Sequence, residues 1–593
     1  MKSTTSDTFV LGINAYHGDS SACILRNGVM IAAIEEERFR RVKHWAGFPS
    51  EAIKYCLSEA DIQPDRINHV AFSRNPMAQV HRKIWHTIKR GPSPAFVLDR
   101  LNNLSRIMTA KDELSEVLRD YDAPITAAVH KVEHHLSHSA SAFFVSPYDR
   151  AAVVSVDAFG DFKSTLISYG ENNTIKKLST VSFPHSLGLM YTAITQYLGF
   201  PYYGDEYKVM GLASYGTPTY IEEFRKMIVP VQKGQFKLNL KYFTHASKGV
   251  RVQWADCSPE VDTAYSDYME QRLGRARQPS EEITENHKNI AASLQMRMEE
   301  IYFHILNYAY SVTKERNLAL AGGVAFNSVA NGKIYDSTEF DQIYIQSAAG
   351  DAGTSLGSAI YVHNAILKER RRFVMNSSYW GPSYTSNDIS KALDNNKLVY
   401  SSFGEDELID LTAKAISQGK IVGWFQGKTE WGPRALGNRS ILADPRKSDM
   451  REKLNVRIKR RENFRPFAPS ILIEAIEDYF ELSSPDPFML KVYPIKPDKR
   501  DVIPAVTHVD GTGRLQTVSI KDNPRYWKLI KRFEELTGVP ILLNTSFNEN
   551  EPIVCNPNEA IQCFLRAHMD LLVIGDYIVF EQNNVPDELT LVK

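Results

Sequence analysis

Two stretches of this chain follow the same grammar, and that repetition restricts the folds open to it more than any other feature. Phe9-Val-Leu-Gly-Ile-Asn-Ala-Tyr-His17-Gly-Asp-Ser-Ser-Ala-Cys-Ile-Leu25 reads as an apolar strand, a tight polar turn and a second apolar strand. Ala151-Ala-Val-Val-Ser-Val-Asp157-Ala-Phe-Gly-Asp161-Phe-Lys-Ser-Thr-Leu-Ile167 repeats it. At 593 residues the chain exceeds the size at which one hydrophobic core keeps growing, so two or more domains are expected. A run from Glu369 through Arg372, followed by Asn, Ser, Gly and Pro up to Tyr384, reads as a linker. The expected domains are therefore residues 1–370 and 380–593.

A hairpin that twice opens an α/β segment predicts an α/β fold with a duplicated N-terminal domain of the actin, sugar kinase and Hsp70 type, with nucleotide in the cleft between its halves. Glu51 to Ala60, Leu98 to Leu118 and Asn289 to Val312 read as helices, and Leu318 to Ala321 as a short strand. That strand runs into Gly322-Gly323-Val-Ala-Phe-Asn327, and a second glycine-rich turn follows at Gly350-Asp351-Ala-Gly353-Thr-Ser-Leu-Gly357. Strand, paired glycines and helix suit a phosphate, because glycine lets backbone approach the ligand and a helix N-terminus favours an anion. An ordinary strand-to-helix turn has the same pattern. Asp351 is a candidate metal ligand or an organiser of magnesium and phosphate.

Between the two hairpins lies Glu133-His134-His135-Leu136-Ser137-His138-Ser139-Ala140-Ser141-Ala142-Phe143-Phe144. On a helix, His134 and His138 stack on one face and can share a metal, or they are simply polar residues at a helix end. Composition narrows the partners. Lys plus Arg and Asp plus Glu each number 70, and zero formal charge argues against a protein built to hold nucleic acid by phosphate neutralisation. Five scattered cysteines without a CxxC pair suggest neither a disulfide framework nor a zinc knuckle. Met1 to Thr8 is polar, and no run of about 18 apolar residues occurs, so a soluble, cytoplasmic protein without a membrane partner is expected.

Downstream, Asp406 to Ser417 reads as a helix and Lys420 to Phe425 as a strand. A second dense region then follows, Gln426-Gly-Lys428-Thr-Glu430-Trp-Gly-Pro-Arg434-Ala-Leu-Gly-Asn438-Arg439-Ser440-Ile-Leu-Ala-Asp444-Pro-Arg446. Arginines among glycines next to a strand end suit an anionic ligand, since guanidinium forks grip phosphate or carboxylate while glycine exposes backbone N–H groups. Lys459, Arg465, Arg514, and Asn544 with Ser546 after the strand Pro540 to Leu543, add groups of the same kind. Their convergence would make a pocket for nucleoside triphosphate and oxyanions.

Taken together, several motifs resemble a known family. They are Glu35 to Phe39 with Lys43-His44, EHHLSHSASAF, DAFGDF, YKVMGLASYG (Tyr207 to Gly216), GGVAFN, GDAGTSLG, EWGPRALGNRSILADPR, FRPFAPSIL and LLNTSFN. In this order, from about residue 9 to 580, the chain resembles the ATP-dependent O-carbamoyltransferases of the nodulation and antibiotic-biosynthesis type. These couple a Kae/TsaD-like N-terminal domain to a YrdC-like C-terminal α/β domain. Ala158 stands where that family often has glycine and Ser137 where alanine is common, and neither change removes a ligating or charged group.

The resemblance implies a two-stage reaction: carbamoyl phosphate is broken down to carbamate, carbamate and ATP (with Mg2+) give carbamoyl adenylate, and an acceptor hydroxyl then takes the carbamoyl group. It carries ATP and carbamoyl-phosphate contacts onto Arg434, Arg439, Lys459, Arg465, Arg514, Asn544 and Ser546, with Arg434 and Lys459 acting in catalysis. It carries iron ligands onto His134, His138, Asp157 and Asp351, and carbamoyl-adenylate contacts onto Asp157, Gly188, Gly323 and Asn327. By ligand type another divalent metal would serve. His17 matches the position that assists the acceptor hydroxyl. The chemistry is consistent with this, because joining two anions calls for fixed cations, and imidazole exchanges protons near neutral pH.

The alternatives are a tRNA-modifying threonylcarbamoyl enzyme, a hydrogenase-maturation carbamoyl enzyme, and a nucleotide-binding regulatory protein that has kept the fold. Neutral charge weighs against the first and the lack of CxxC against the second. The acceptor is expected to be a hydroxylated small molecule, selected by residues 74–110 and 215–280, and a homodimer is the expected assembly.

Overall fold

The computed structural model describes residues 7–80, 110–121, 123–247, 252–255, 258–481 and 484–580, and the chain divides into two compact units, Met1–Met375 and Asn376–Lys593. The first is built on two five-stranded sheets. One contains β1 (Phe9–Asn14), β2 (Ser21–Arg26), β3 (Val29–Glu35), β4 (Ile67–Phe72) and β5 (Ala128–Lys131) in the order β3-β2-β1-β4-β5. β1 pairs antiparallel with β2 and β2 with β3, whereas β1–β4 and β4–β5 are parallel.

The second sheet starts with β6 (Arg150–Gly160), β7 (Lys163–Glu171) and β8 (Thr174–Ser182). Two small hairpins follow, β9 (Ile228–Val231) with β10 (Gln235–Leu238) and β11 (Val252–Ala255) with β12 (Ser258–Val261). The sheet is completed by β13 (Asn317–Ala321) and β14 (Gln342–Ile345), in the order β14-β13-β6-β7-β8. Read from β8, this is the order and sense of the first sheet: a three-strand antiparallel meander whose first strand is joined by two parallel ones. The echo between the two hairpins is thus a duplicated actin-like α/β fold.

Parallel neighbours need a crossover, and helices supply it. α1 (Ser50–Glu59) lies between β3 and β4, and α2 (His134–Phe143) precedes β6. α3 (Leu187–Tyr197) and α4 (Glu285–Thr313) lie between β8 and β13, and α5 (Gly353–Tyr361) follows β14. The Ser186 hydroxyl caps α3 by accepting the Leu189 N–H at 3.0 Å, and Thr284 with His287 forms a capping box at α4. Every residue of β1 is buried, as expected of a strand covered on both faces, which explains its unbroken apolar sequence.

The second unit is organised by an eight-stranded mixed sheet. In chain order its strands are β15 (Tyr400–Ser402), β16 (Val422–Phe425), β17 (Arg439–Ala443), β18 (Ala468–Leu472), β21 (Gln516–Val518), β22 (Ile541–Ser546), β23 (Leu571–Ile574) and β24 (Tyr577–Phe580). β19 (Val492–Pro494) pairs separately with β20 (Thr512–Arg514). The spatial order is β15-β24-β23-β16-β17-β22-β18-β21. Its helices α6 (Glu405–Ser417), α7 (Pro524–Thr537) and α8 (Pro557–Ala567) are amphipathic, with α7 burying Tyr526, Leu529, Ile530 and Phe533.

Three local expectations change. Of the helix expected over Leu98–Leu118, residues 110–117 are helical and 98–109 lie outside the described residues. The paired glycines after β13 lead into a 3-10 turn, Gly323–Phe326, and a five-residue helix, Ser328–Gly332, because the Asn327 side chain caps a new start there. Asn544 and Ser546 lie within β22 instead of after it, since the ladder with β17 runs from Leu543 to Ser546. Among the described residues no helix is long and apolar enough to cross a membrane.

Candidate functional site

Helix α2 begins where Glu133 accepts the His135 N–H at 3.0 Å, and Asp161 accepts the His134 N–H at 2.9 Å. This fixes the first turn, so the helical period places His134 and His138 side by side with ring centroids 4.6 Å apart. Asp157 reaches the pair from β6, and Asp351 from the turn before α5. His138 Nε2 lies 2.9 Å from Asp157 Oδ2, 3.2 Å from Asp351 Oδ1 and 3.1 Å from His134 Nε2. His134 Nε2 lies 3.4 Å from Asp351 Oδ1 and 3.8 Å from Asp157 Oδ2.

Close approach depends on residues that lack side chains. A Cβ at Gly357 of α5 would stand 1.8 Å from the Ser137 carbonyl oxygen of α2, and one at Gly12 of β1 would stand 2.0 Å from the Ser355 carbonyl oxygen. A Cβ at Gly160 would strike the His134 ring at 1.9 Å. Glycine at these points allows α5 to settle against both α2 and β1, which brings Asp351 to the histidines.

The four groups fit a divalent cation. Asp157 Oδ2 and Asp351 Oδ1 are buried and face the two imidazoles, and at most one of the two facing Nε2 atoms can carry the proton between them. Once that proton is removed, four lone pairs converge on one point. Ligands about 2.1 Å from a shared ion sit about 3.4 Å apart along the edges of a tetrahedron, and the observed separations of 2.9–3.8 Å straddle that value.

The electrostatics agree. Burial, then the neighbouring His138, pushes His134 down to about 3. Burial would lower His138 too, but hydrogen bonding and charge from Asp157 and Asp351 raise it to about 9. Against the opposing effect of burial, the two imidazoles hold Asp157 well below the usual carboxylate range, and His17 with His138 does the same for Asp351. With no ion bound, one proton on His138 lies between two carboxylates while His134 stays neutral. A divalent cation would replace that proton.

His17, in the β1–β2 loop, donates from Nδ1 to Asp351 Oδ2, which leaves Nε2 as its acceptor nitrogen. Its ring centroid is 5.0 Å from that of His134. Asp351 therefore faces the cluster with one oxygen and His17 with the other. A second group, Asp19, Glu37 and His44, forms an internal ion pair in which His44 Nδ1 lies 2.7 Å from Asp19 Oδ1.

The remaining residues expected in this unit divide. A Cβ at Gly323 would lie 3.1 Å from Asp157 Oδ1 and one at Gly188 would lie 2.9 Å from the Ala158 nitrogen, so both glycines line the Asp157 turn. Asn327 is engaged elsewhere: its amide exchanges two hydrogen bonds of 3.0 Å with Gln295 and accepts the Ala330 N–H.

In the second unit, Glu430 organises the glycine-rich loop by accepting the N–H groups of Leu436, Asn438 and Arg439 on one oxygen, at 2.7, 2.9 and 3.2 Å. Arg514 feels the charges of Arg434 and Arg465, both expected here, and of Arg461, which was not; Arg461 itself donates to Asn455 Oδ1 at 2.7 Å and lies over the Phe467 ring at 4.7 Å. Its only signal is the basic run Lys459-Arg460-Arg461. Burial, then the positive charges of Arg434, Arg461 and Arg465, pushes Arg514 well below the usual guanidinium range, opposed by Asp486. An arginine does not give up its proton, so an anion placed among these charges would be stabilised.

Two expected contacts have other surroundings. Arg439 is fully buried, lies over the Phe425 ring at 3.7 Å and donates to the carbonyls of Gln426, Asn438, Pro382 and Gly427. That placement makes it a clamp on the loop. The Lys459 ammonium is enclosed by Ser546 O, Asn548 O and Asn548 Oδ1 at 2.5, 2.7 and 2.8 Å, so it holds the turn after β22. Ser546 donates to Asn548 Oδ1 at 2.8 Å, and Asn544 sits in the sheet interior at 1% exposure.

Comparison with known proteins completes the picture. Residues 9–360 match the carbamoyltransferase N-terminus family and residues 413–581 the carbamoyltransferase C-terminus family. An uncharacterized protein of Synechocystis sp. is 38% identical, over 96% of each chain. Nodulation protein NolNO of Sinorhizobium fredii is 37% identical over 97% of this chain and 81% of its own length. Nodulation protein NolO of Bradyrhizobium diazoefficiens is 41% identical over 76% of this chain and 78% of its own. With both family halves matched in order and these relatives aligned along most of its length, the chain belongs to the carbamoyltransferase family and is an enzyme of carbamoyl transfer.

Proposed function

We propose that the chain is an ATP-dependent O-carbamoyltransferase of natural-product biosynthesis that makes carbamoyl adenylate in its second unit and uses it in its first. The observation that carries this reading is the division of chemistry between the units: buried Arg514 under the charges of Arg434, Arg461 and Arg465 in one, and His134, His138, Asp157 and Asp351 beside His17 in the other. In the YrdC-like second unit, water cleaves carbamoyl phosphate to carbamate and phosphate. A carbamate oxygen then attacks the α-phosphorus of ATP, and the bond to the bridging oxygen breaks to release pyrophosphate. Both partners are anions, so the arginines neutralise the charge that builds up as they meet.

In the first unit the acceptor hydroxyl attacks the carbamoyl carbon, the bond from that carbon to the AMP oxygen breaks, and AMP leaves. His17 Nε2 takes the hydroxyl proton while Nδ1 stays fixed by Asp351. Gly188 and Gly323 let the backbone approach closely around Asp157, where the adenylate would sit in this reading. His134, His138, Asp157 and Asp351 would hold a divalent metal, iron in this reading, whose chemistry is that of a Lewis acid toward carbonyl or phosphate oxygen. The acceptor is a hydroxylated small molecule, and the reaction belongs in the cytoplasm, where ATP and carbamoyl phosphate are available.

The test is pyrophosphate exchange into ATP that depends on carbamoyl phosphate. Arg434→Ala should lower exchange by about 100-fold or more. His138→Ala should leave exchange intact and abolish carbamoyl transfer to a hydroxylated acceptor, followed as a mass shift. Equal loss of exchange in both variants would count against two separate sites.

A further inference from the structure

The hairpin that joins β6 to β7 turns through two residues, Asp161 and Phe162, since Gly160 pairs with Lys163. Both have positive φ, 48° and 71°. Two-residue hairpins with these angles favour Asn-Gly or Asp-Gly, because glycine adopts them at no steric cost. A phenylalanine in the second place is strained, and such strain persists only where the surroundings hold it.

The Asp161 side chain supplies a hold. It is buried, at 7% exposure, and its Oδ2 accepts the Asn75 N–H at 2.8 Å and the His134 N–H at 2.9 Å. One oxygen thus fastens three segments: the turn itself, the loop after β4 in the other half of the duplicated fold, and the first turn of α2. The residue before Asn75 carries the link onward. Arg74 Nη1 donates to the Tyr16 carbonyl oxygen at 3.0 Å, and the next residue is His17. Arg74 also offsets the buried Asp161 charge, which Glu133 opposes. The same loop is seated on the end of β1, where the Ser73 N–H donates to the Ile13 carbonyl oxygen and the Ser73 hydroxyl to Asn14 Oδ1, each at 3.1 Å.

The path closes on itself. From Asp161 one arm runs through the start of α2 to His134 and the cluster. The other runs through Asn75, Arg74 and Tyr16 to His17, which meets the cluster again at Asp351. The separation of the His17 and His134 rings, 5.0 Å between centroids, is therefore set from both ends.

We propose that Asp161 and Arg74 are positioning residues that hold His17 in register with the His and Asp cluster. Asp161 acts on both arms and Arg74 on the His17 arm alone. The inference rests on the reading of His17 as the base that takes the acceptor proton.

The experiment uses the full chain with ATP and carbamoyl phosphate, with glycerol and with water alone as the hydroxyl, and reads AMP release beside pyrophosphate exchange. Arg74→Met should lower AMP release by about 10- to 100-fold and leave exchange unchanged, because a displaced base costs rate in the first unit alone. Arg74→Lys, which keeps a donor and a charge, should recover most of that loss. Asp161→Ala should lower AMP release at least as far and also weaken Co2+ binding, read from visible absorption, since the start of α2 is no longer held. Arg74→Met should bind Co2+ as wild type does, a split that a general loss of structure would not give. Where Asp161→Ala fails to fold, Arg74→Met and its rescue by lysine decide. A folded Arg74→Met that releases AMP as fast as wild type, while His17→Ala does not, would overturn the link and leave the base reading intact. His17→Ala with the wild-type rate would overturn both.

Discussion

Asp351 gives one oxygen to the converging lone pairs of His134, His138 and Asp157 and the other to His17, so a single carboxylate ties the proposed metal to the proposed base. His44 shows a simpler case of charge held in place. It adopts a left-handed backbone, with φ 56°, and its N–H donates to Glu37 Oε2 at 2.8 Å while its ring pairs with Asp19. Burial alone would lower its pKa, but the charge and hydrogen bond of Asp19, then Glu37, raise it from 6.5 to about 9. A raised folded value stabilises the protein fully below pH 6.5, and the contribution is lost as pH rises through 9. His44→Asn should therefore lower Tm most below pH 6.5, with the gap to wild type closing above pH 9. A gap that stayed constant across that range would show that the ion pair contributes nothing.

At the level of elements, the contact between α2 and α5 decides whether the cluster exists. Gly357 and the Ser137 carbonyl are too close for any added side-chain atom, and Ser137 lies between the two histidines. Gly357→Ala should destabilise the protein by about 1–3 kcal/mol, as overpacking of a well-filled interior does, measured by urea unfolding. It should also weaken metal uptake, because the displaced helix carries Asp351 away. An unchanged urea midpoint would mean that the helices can part freely. The glycine-rich loop before β17 is an element of another kind, drawn together by Glu430 and Arg439 around the buried Trp431, Ala435 and Leu436.

On the scale of the whole molecule, each unit has its own sheets and its own buried apolar residues, including Trp424, Ile441, Leu542 and Val573 in the second. Residues 376–593 expressed alone should therefore fold and unfold cooperatively in urea, monitored by circular dichroism. A broad, featureless transition would show that this unit depends on the first. The duplicated hairpins and the long helix α4 are legible in the sequence because apolar strand runs, turn residues and helical period are properties of neighbouring residues. The pairing of His134 with His138 follows for the same reason. Arg439 and Lys459 have the chemistry of ligand-binding groups, yet the fold turns their donors onto carbonyls of the chain, while the charge of Arg461 reaches Arg514 unannounced. By itself, then, the sequence determined the repeated α/β framework and half of the His and Asp cluster, both set by local backbone geometry. Tertiary structure alone decided which distant groups meet, because the approach of Asp157 and Asp351 to the histidines depends on close contacts between segments far apart in the chain.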